Sequence, residues 1–181
     1  RYDYFNVSDQ DMSDRKWQDE NVVWICSSRE HSYGKIVGGI ISDTDMLNKY
    51  LYKEIRRRKA YLYIRFTDAL SGKSNDWIAP LEYEGIKKDE ENDAVGYYWV
   101  VKDGLLGCIR RDGTITLEPD TYPIEKDFYT HWGKGCVDDI TALAVSYYEE
   151  DGTHTLIAAD GQKTTGLPED LYCMDSVGYL W

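Results

Sequence analysis

The side chains able to do chemistry in this chain are scattered. There are three histidines, His31, His131 and His154, and four cysteines, Cys26, Cys108, Cys136 and Cys173. No histidine stands three or four residues from another ligand type in a helical pattern. No Cys-x-x-Cys pair occurs, so the spacing does not build a zinc site. One short stretch collects several reactive types: His131-Trp132-Gly133-Lys134-Gly135-Cys136, followed by Asp138-Asp139. His131 and Cys136, with Asp138 and Asp139, could be read as a nucleophile set. Sites of that kind are assembled from distant parts of a chain, however, and the stretch reads as a glycine-rich loop. Gly133-Lys134-Gly135 lacks the eight-residue pattern of a phosphate loop.

Carboxylates are abundant, 33 in all. Two of them could form the acid–base pair of a hydrolase, but the number gives no means of choosing two. Asp138-Asp139 and Glu149-Glu150-Asp151 offer oxygen ligands without the spacing of a calcium loop. No cofactor and no metal are expected. Cys26 in Val-Val-Trp-Ile-Cys and Cys108 in Leu-Leu-Gly-Cys-Ile lie in apolar runs and read as small buried hydrophobes. The even cysteine count is compatible with disulfides in a secreted protein. Asn6-Val7-Ser8 has the form of a glycosylation sequon.

Composition narrows the function classes. The formal charge of −12 argues against nucleic acid and against anionic membranes, where a basic footprint carries affinity. It suits a basic protein partner drawn in over a distance. No stretch approaches the ~18 apolar residues of a membrane helix. The expected compartment is the cytoplasm, with the periplasm or exterior as the alternative because the chain starts at Arg1 and not at Met. The 16 Tyr and 6 Trp against 3 Phe favour half-buried strands and also binding surfaces.

The elements that must position these groups are mostly strands. Length and composition fit a single domain over 1–181, mainly β within the α+β class. Residues 1–20 read as an irregular lead-in. Residues 21–26 and 35–41 read as strands, with Gly38-Gly39 marking a bulge or a close backbone approach. One amphipathic helix is expected at about 44–58: Met46, Leu47, Tyr50, Leu51 and Ile55 share a face, and Arg56 to Lys59 sit where the dipole favours cations. Residues 61–66 read as another strand. The polar run 87–93 reads as an exposed loop.

A repeat organises the second half. Residues 97–102, Asp103-Gly104, residues 105–110, Asp112-Gly113, residues 114–117 and Pro119 form one copy. Residues 143–150, Asp151-Gly152, residues 153–159, Asp160-Gly161 and Pro168 form the other. In both, the Asp-Gly pairs stand nine residues apart. Asp-Gly between β-rich runs signals a hairpin with a type I′ turn, so two in tandem predict a three-stranded antiparallel meander ended by proline. A degenerate copy with Trp77-Ile78-Ala79-Pro80 at its end extends the repeated region over 61–181.

The segment Asp103-Gly104-Leu105-Leu106-Gly107-Cys108-Ile109-Arg110-Arg111-Asp112-Gly113, with Pro119 and Tyr122 after it, resembles the unit of bacterial WG-repeat proteins. Trp77 to Tyr83 resembles the tail of such a unit. The likeness covers about 61–124 and 143–175. Leu106 stands where the family's Trp would be, and Thr153-His154-Thr155 replaces the corresponding triplet in the last copy. The resemblance implies a binding role and no enzymatic activity.

The expected function is therefore a non-enzymatic interaction protein that uses a Tyr/Trp-bearing sheet surface, with a protein partner first and a glycan second. Tyr97, Tyr98 and Trp99 are the first candidates, since alternation turns neighbouring strand side chains to opposite faces. Trp132 joins them from the glycine-rich loop. The alternatives are an acidic inhibitor of the immunity type that neutralises a basic toxin, and a carboxylate-dependent hydrolase.

Overall fold

The computed structural model describes residues 22–26, 36–42, 77–128 and 133–168. The expected helix at 44–58, the strand at 61–66, the lead-in at 1–20, and His131 and Trp132 lie outside the described residues. The chain is mainly β, with antiparallel sheets and one short helix among the described residues. It divides into two compact units, 1–83 and 84–181.

In the first unit, β1 (Val22–Cys26), β2 (Ile36–Ile41) and β3 (Trp77–Tyr83) form an antiparallel sheet in the order β1-β2-β3. The Gly38-Gly39 expectation holds in detail. A Cβ on Gly39 would come within 2.7 Å of the Ala79 carbonyl oxygen, so only glycine allows β3 this close. Pro80 does not end its strand, as the repeat pattern suggested. Its partners Ile40↔Ala79 and Gly38↔Tyr83 leave a bulge across it on an edge strand, where a missing N–H is tolerated.

The second unit holds two consecutive four-stranded meanders. The first comprises β4 (Gly85–Lys87), α1 (Glu90–Val95), β5 (Tyr97–Lys102), β6 (Leu105–Arg110) and β7 (Ile115–Leu117). The second comprises β8 (Cys136–Ile140), β9 (Ala144–Tyr148), β10 (His154–Ala158) and β11 (Lys163–Leu167). Each runs as an antiparallel succession of neighbours, β4-β5-β6-β7 and β8-β9-β10-β11. The Asp-Gly pairs account for three strands in each, and β4 and β8 are the fourth.

The polar run 87–93 is not an exposed loop. Asp89 caps α1, accepting from the Asn92 N–H at 2.9 Å, and Gly96 ends the helix at φ 78. Acidic residues fill the first turn, where the helix dipole favours them. Lys88 and Asn92 are buried, and Lys88 pairs with Asp93 at 2.9 Å. Charge alone suggested solvent exposure, and pairing makes burial affordable here.

The turns also differ from the expectation. Only Asp103-Gly104 has positive φ at both residues, 52 and 75, as a type I′ turn requires. At the other three pairs only the glycine is positive, with Gly113 at 86, Gly152 at 90 and Gly161 at 89. Each of these glycine N–H groups bonds three residues back, to the carbonyls of Arg110, Glu149 and Ala158. Each aspartate Oδ1 accepts the amide two residues on: Thr114 at 3.0 Å, Thr153 at 2.9 Å and Gln162 at 3.0 Å. These are three-residue loops closed by a glycine bulge, with aspartate bracing the reversal.

Candidate functional site

The aromatic cluster chosen from the sequence lies on β5, the second strand of the first meander. Trp99 is fully buried, and its indole N–H donates to the Thr141 carbonyl at 2.8 Å. Tyr98 is 2% exposed, and its hydroxyl donates to Asp93 at 2.8 Å. Lys88 Nζ sits 5.5 Å from the Tyr98 ring centre, and the Arg111 Nε–H donates to the Tyr98 hydroxyl at 3.4 Å. Burial raises the Tyr98 pKa further above its ordinary value. Tyr97 is half-buried. The expectation of an open aromatic face is corrected for Tyr98 and Trp99. Both faces of β5 are covered, so alternation turns neither residue to solvent.

The second meander is built differently. Val137, Val145, Tyr147, Thr155 and Ile157 line one buried face. The opposite face carries Cys136, Ser146, Tyr148 and His154, placed together by the cross-strand register Cys136↔Tyr148↔His154. Ser146 lies diagonal to His154, and its Oγ is 3.2 Å from His154 Nδ1. The His154 ring stacks on Tyr148 with centroids 4.8 Å apart. Asp138 is the extra residue of a bulge between the Val137↔Tyr147 and Asp139↔Ser146 pairs. Its buried Oδ2 has no hydrogen-bond partner. Burial raises its pKa, while the charge of His154 acts in the opposite direction.

Ser146 Oγ and His154 Nδ1 stand at a nucleophile–base distance, and the buried Oδ2 of Asp138 makes no hydrogen bond to the imidazole. The sequence stretch around Cys136 fares less well as a nucleophile site. Burial raises the thiol pKa, which disfavours the nucleophilic thiolate. Ser146 was missed because histidine partners were sought at helical spacing. The hairpin register was the available signal, since Asp151-Gly152 fixes which β9 residues lie beside His154. No cluster of metal-ligating side chains occurs among the described residues.

The third feature is charge. Residues 1–83 contain 13 Asp and Glu and 13 Lys and Arg, whereas residues 84–181 contain 20 and 8. The whole formal charge of −12 therefore resides in the second unit. Glu118, Asp120, Asp139, Glu150, Asp151 and Asp160 are exposed on its turns and edges. The side chain and amide of Thr153 hold the Asp151 carboxyl below its usual range, and Arg110 does the same for Asp112. Among the described residues, no helix is long and apolar enough to cross a membrane. Comparison with protein-family models, curated proteins and solved structures finds no match to this chain.

Proposed function

We propose that the protein is a non-enzymatic interaction module whose acidic second unit binds a basic protein partner. One observation carries this reading: a neutral unit and a unit of charge −12 are joined in one chain. A charge spread for solubility alone would have no reason to be so divided. The exposed Asp151 and Asp160 each brace their turn through Oδ1, so their positions are set before a partner arrives, and ordering them costs little on binding. An inhibitor of the immunity type is one form this function takes. The likeness to WG-repeat proteins is a proposal of the same kind, and it too points to binding.

The test is association with a fluorescent peptide of alternating Lys and Thr, set against its Glu-Thr counterpart. Attraction of this kind falls with salt, because the Debye length is about 10 Å at 0.1 M. Neutralising Glu149, Glu150 and Asp151 together as amides is expected to weaken binding of the Lys peptide. Neutralising three carboxylates of the first unit is expected to leave it unchanged. Equal binding of both peptides, or equal loss from both sets of variants, overturns the reading.

A further inference from the structure

The two meanders end in equivalent strands that are treated differently, and this locates the docking edge. The inference rests on the acidic-partner reading. We propose that β11 is an acceptor edge, to which an extended, Lys- or Arg-bearing segment of a partner protein adds as a further strand of the second meander.

The equivalence is structural. Arg110 N–H bonds Thr114 O and Ala158 N–H bonds Gln162 O, closing matching turns. The first ladder pairs are Ile109↔Ile115 and Ile157↔Lys163, so Thr116 of β7 corresponds to Thr164 of β11. On β7, the chain itself covers this position. The Thr116 hydroxyl donates to the Ala159 carbonyl at 2.5 Å, and a Cβ on Gly161 would collide with the Thr116 carbonyl oxygen. Backbone from the second meander thus lies directly against the last strand of the first.

Among the described residues, the contact recorded over β11 is a side-chain one at its first residue, where Lys163 Nζ lies 4.8 Å from the Tyr122 ring centre. Among the described residues its ladder partner is β10 alone. Lys163, Thr164, Thr165 and Gly166 are all exposed. Proteins guard such edges with charge, proline or a covering segment. Here Lys163 opens the strand, a register shift with Gly166 at φ 71 confines the regular edge to Lys163–Thr165, and Pro168 follows, with uncharged residues between. Antiparallel alternation turns the backbone groups of Thr164 toward Leu156, and so those of Lys163 and Thr165 outward. Threonine also favours the extended conformation an added strand requires.

Charge selects the occupant. Asp160 stands in the turn at one end of β11, and Glu150 and Asp151 stand in the turn beside His154, the partner of Leu167 at the other end. A second copy of this chain would bring a further −12 to the same edge, whereas a basic segment is attracted to it. Ladder hydrogen bonds would supply affinity, and the flanking carboxylates would supply rate and orientation.

The experiment uses the full chain and a Lys-Thr alternating peptide of about ten residues, long enough to span one strand. Amide exchange is followed residue by residue, with peptide anisotropy at about 50 and about 300 mM salt. Slowing of the Lys163 and Thr165 amides by about tenfold or more is expected on binding. Thr165→Pro removes an outward donor and is expected to weaken binding about tenfold. Thr165→Ser is expected to bind as the parent does. If Thr165→Pro fails to fold, exchange in the parent protein decides. Salt-sensitive binding that protects amides elsewhere overturns the edge proposal and leaves the acidic-partner reading standing. Failure to prefer the Lys peptide overturns that reading instead. Protection of β11 by self-association without peptide overturns the choice of occupant.

Discussion

The two meanders of the second unit share Asp-Gly reversals and strand order but use their side chains differently. In the first, β5 and β6 are buried through four consecutive positions each, so both faces are covered. In the second, β9 and β10 bury one face and turn Ser146, Tyr148 and Leu156 partly to solvent. The first meander is covered at its last strand by backbone of the second, whose own last strand has β10 as its one ladder partner among the described residues. Repeated hairpins therefore need not make repeated surfaces. Packing closes both faces of one copy and leaves Ser146, Tyr148 and Leu156 of the other half-buried, with His154 enclosed beside them.

The largest test of that contrast is Trp99→Ala. It empties a fully buried site and orphans the Thr141 carbonyl, and is expected to cost about 3–5 kcal/mol in denaturant unfolding. Leu156→Ala, at a half-buried position on β10, is expected to cost less than half as much. Equal losses would remove the distinction between a closed and an open meander.

Next come two glycines with the same backbone. Gly152 and Gly161 have φ of 90 and 89, so alanine at either pays the left-handed penalty of about 1–2 kcal/mol. Around Gly152, side-chain ends lie at 3.7 and 3.8 Å and leave room for a methyl group. Gly161 also meets the Thr116 backbone. Gly161→Ala is expected to destabilise more in thermal melts, by the cost of parting the two meanders at that point. Equal shifts in melting temperature would mean that the contact there is slack.

A smaller effect separates two aspartates by sign. Asp138 has a folded pKa above its unfolded value, so its ionisation destabilises the fold as pH rises through the folded pKa. Asp138→Asn is expected to raise stability at neutral pH, with the gain vanishing below the ordinary aspartate pKa. Asp112 is held low by Arg110, so its contribution is present above its unfolded pKa and fades as pH falls. Asp112→Asn is expected to lower stability slightly at neutral pH. Melting curves across acid pH read both, and shifts of the same sign would contradict the assignment.

The smallest test is chemical. Burial pushes the Cys108 thiol up to about 12, so it is expected not to react with a thiol reagent near pH 8 until the protein unfolds. Labelling of native Cys108 at the rate of a free thiol would show that the first meander opens.

Much of the fold was legible because turn chemistry is local. Asp-Gly pairs announced the hairpins at 103–104, 112–113, 151–152 and 160–161, and Gly38-Gly39 announced the approach of β3. Local signals also misled. Residues 87–93 looked like a solvated loop, because charge density hides a cap at Asp89 and a buried partner for Lys88. Tyr97, Tyr98 and Trp99 looked like a surface, because alternation predicts which way side chains point and not what lies opposite them.

By itself the sequence determined the antiparallel strands of the second half, the positions of the reversals and the net charge of −12, whereas the boundary that assigns this charge to residues 84–181 came from the structure. The strands, the reversals and the net charge each depend on residues close together in the chain or on a count. Tertiary structure alone decided that Trp99 is enclosed, that Ser146 meets His154, that Asp138 is left with an unpartnered oxygen, and that, among the described residues, backbone of the second meander lies against β7 while β11 pairs with β10 alone. Those outcomes depend on which distant backbone packs against a strand, and Thr116 and Thr164 occupy the same place in identical reversals without encoding the difference.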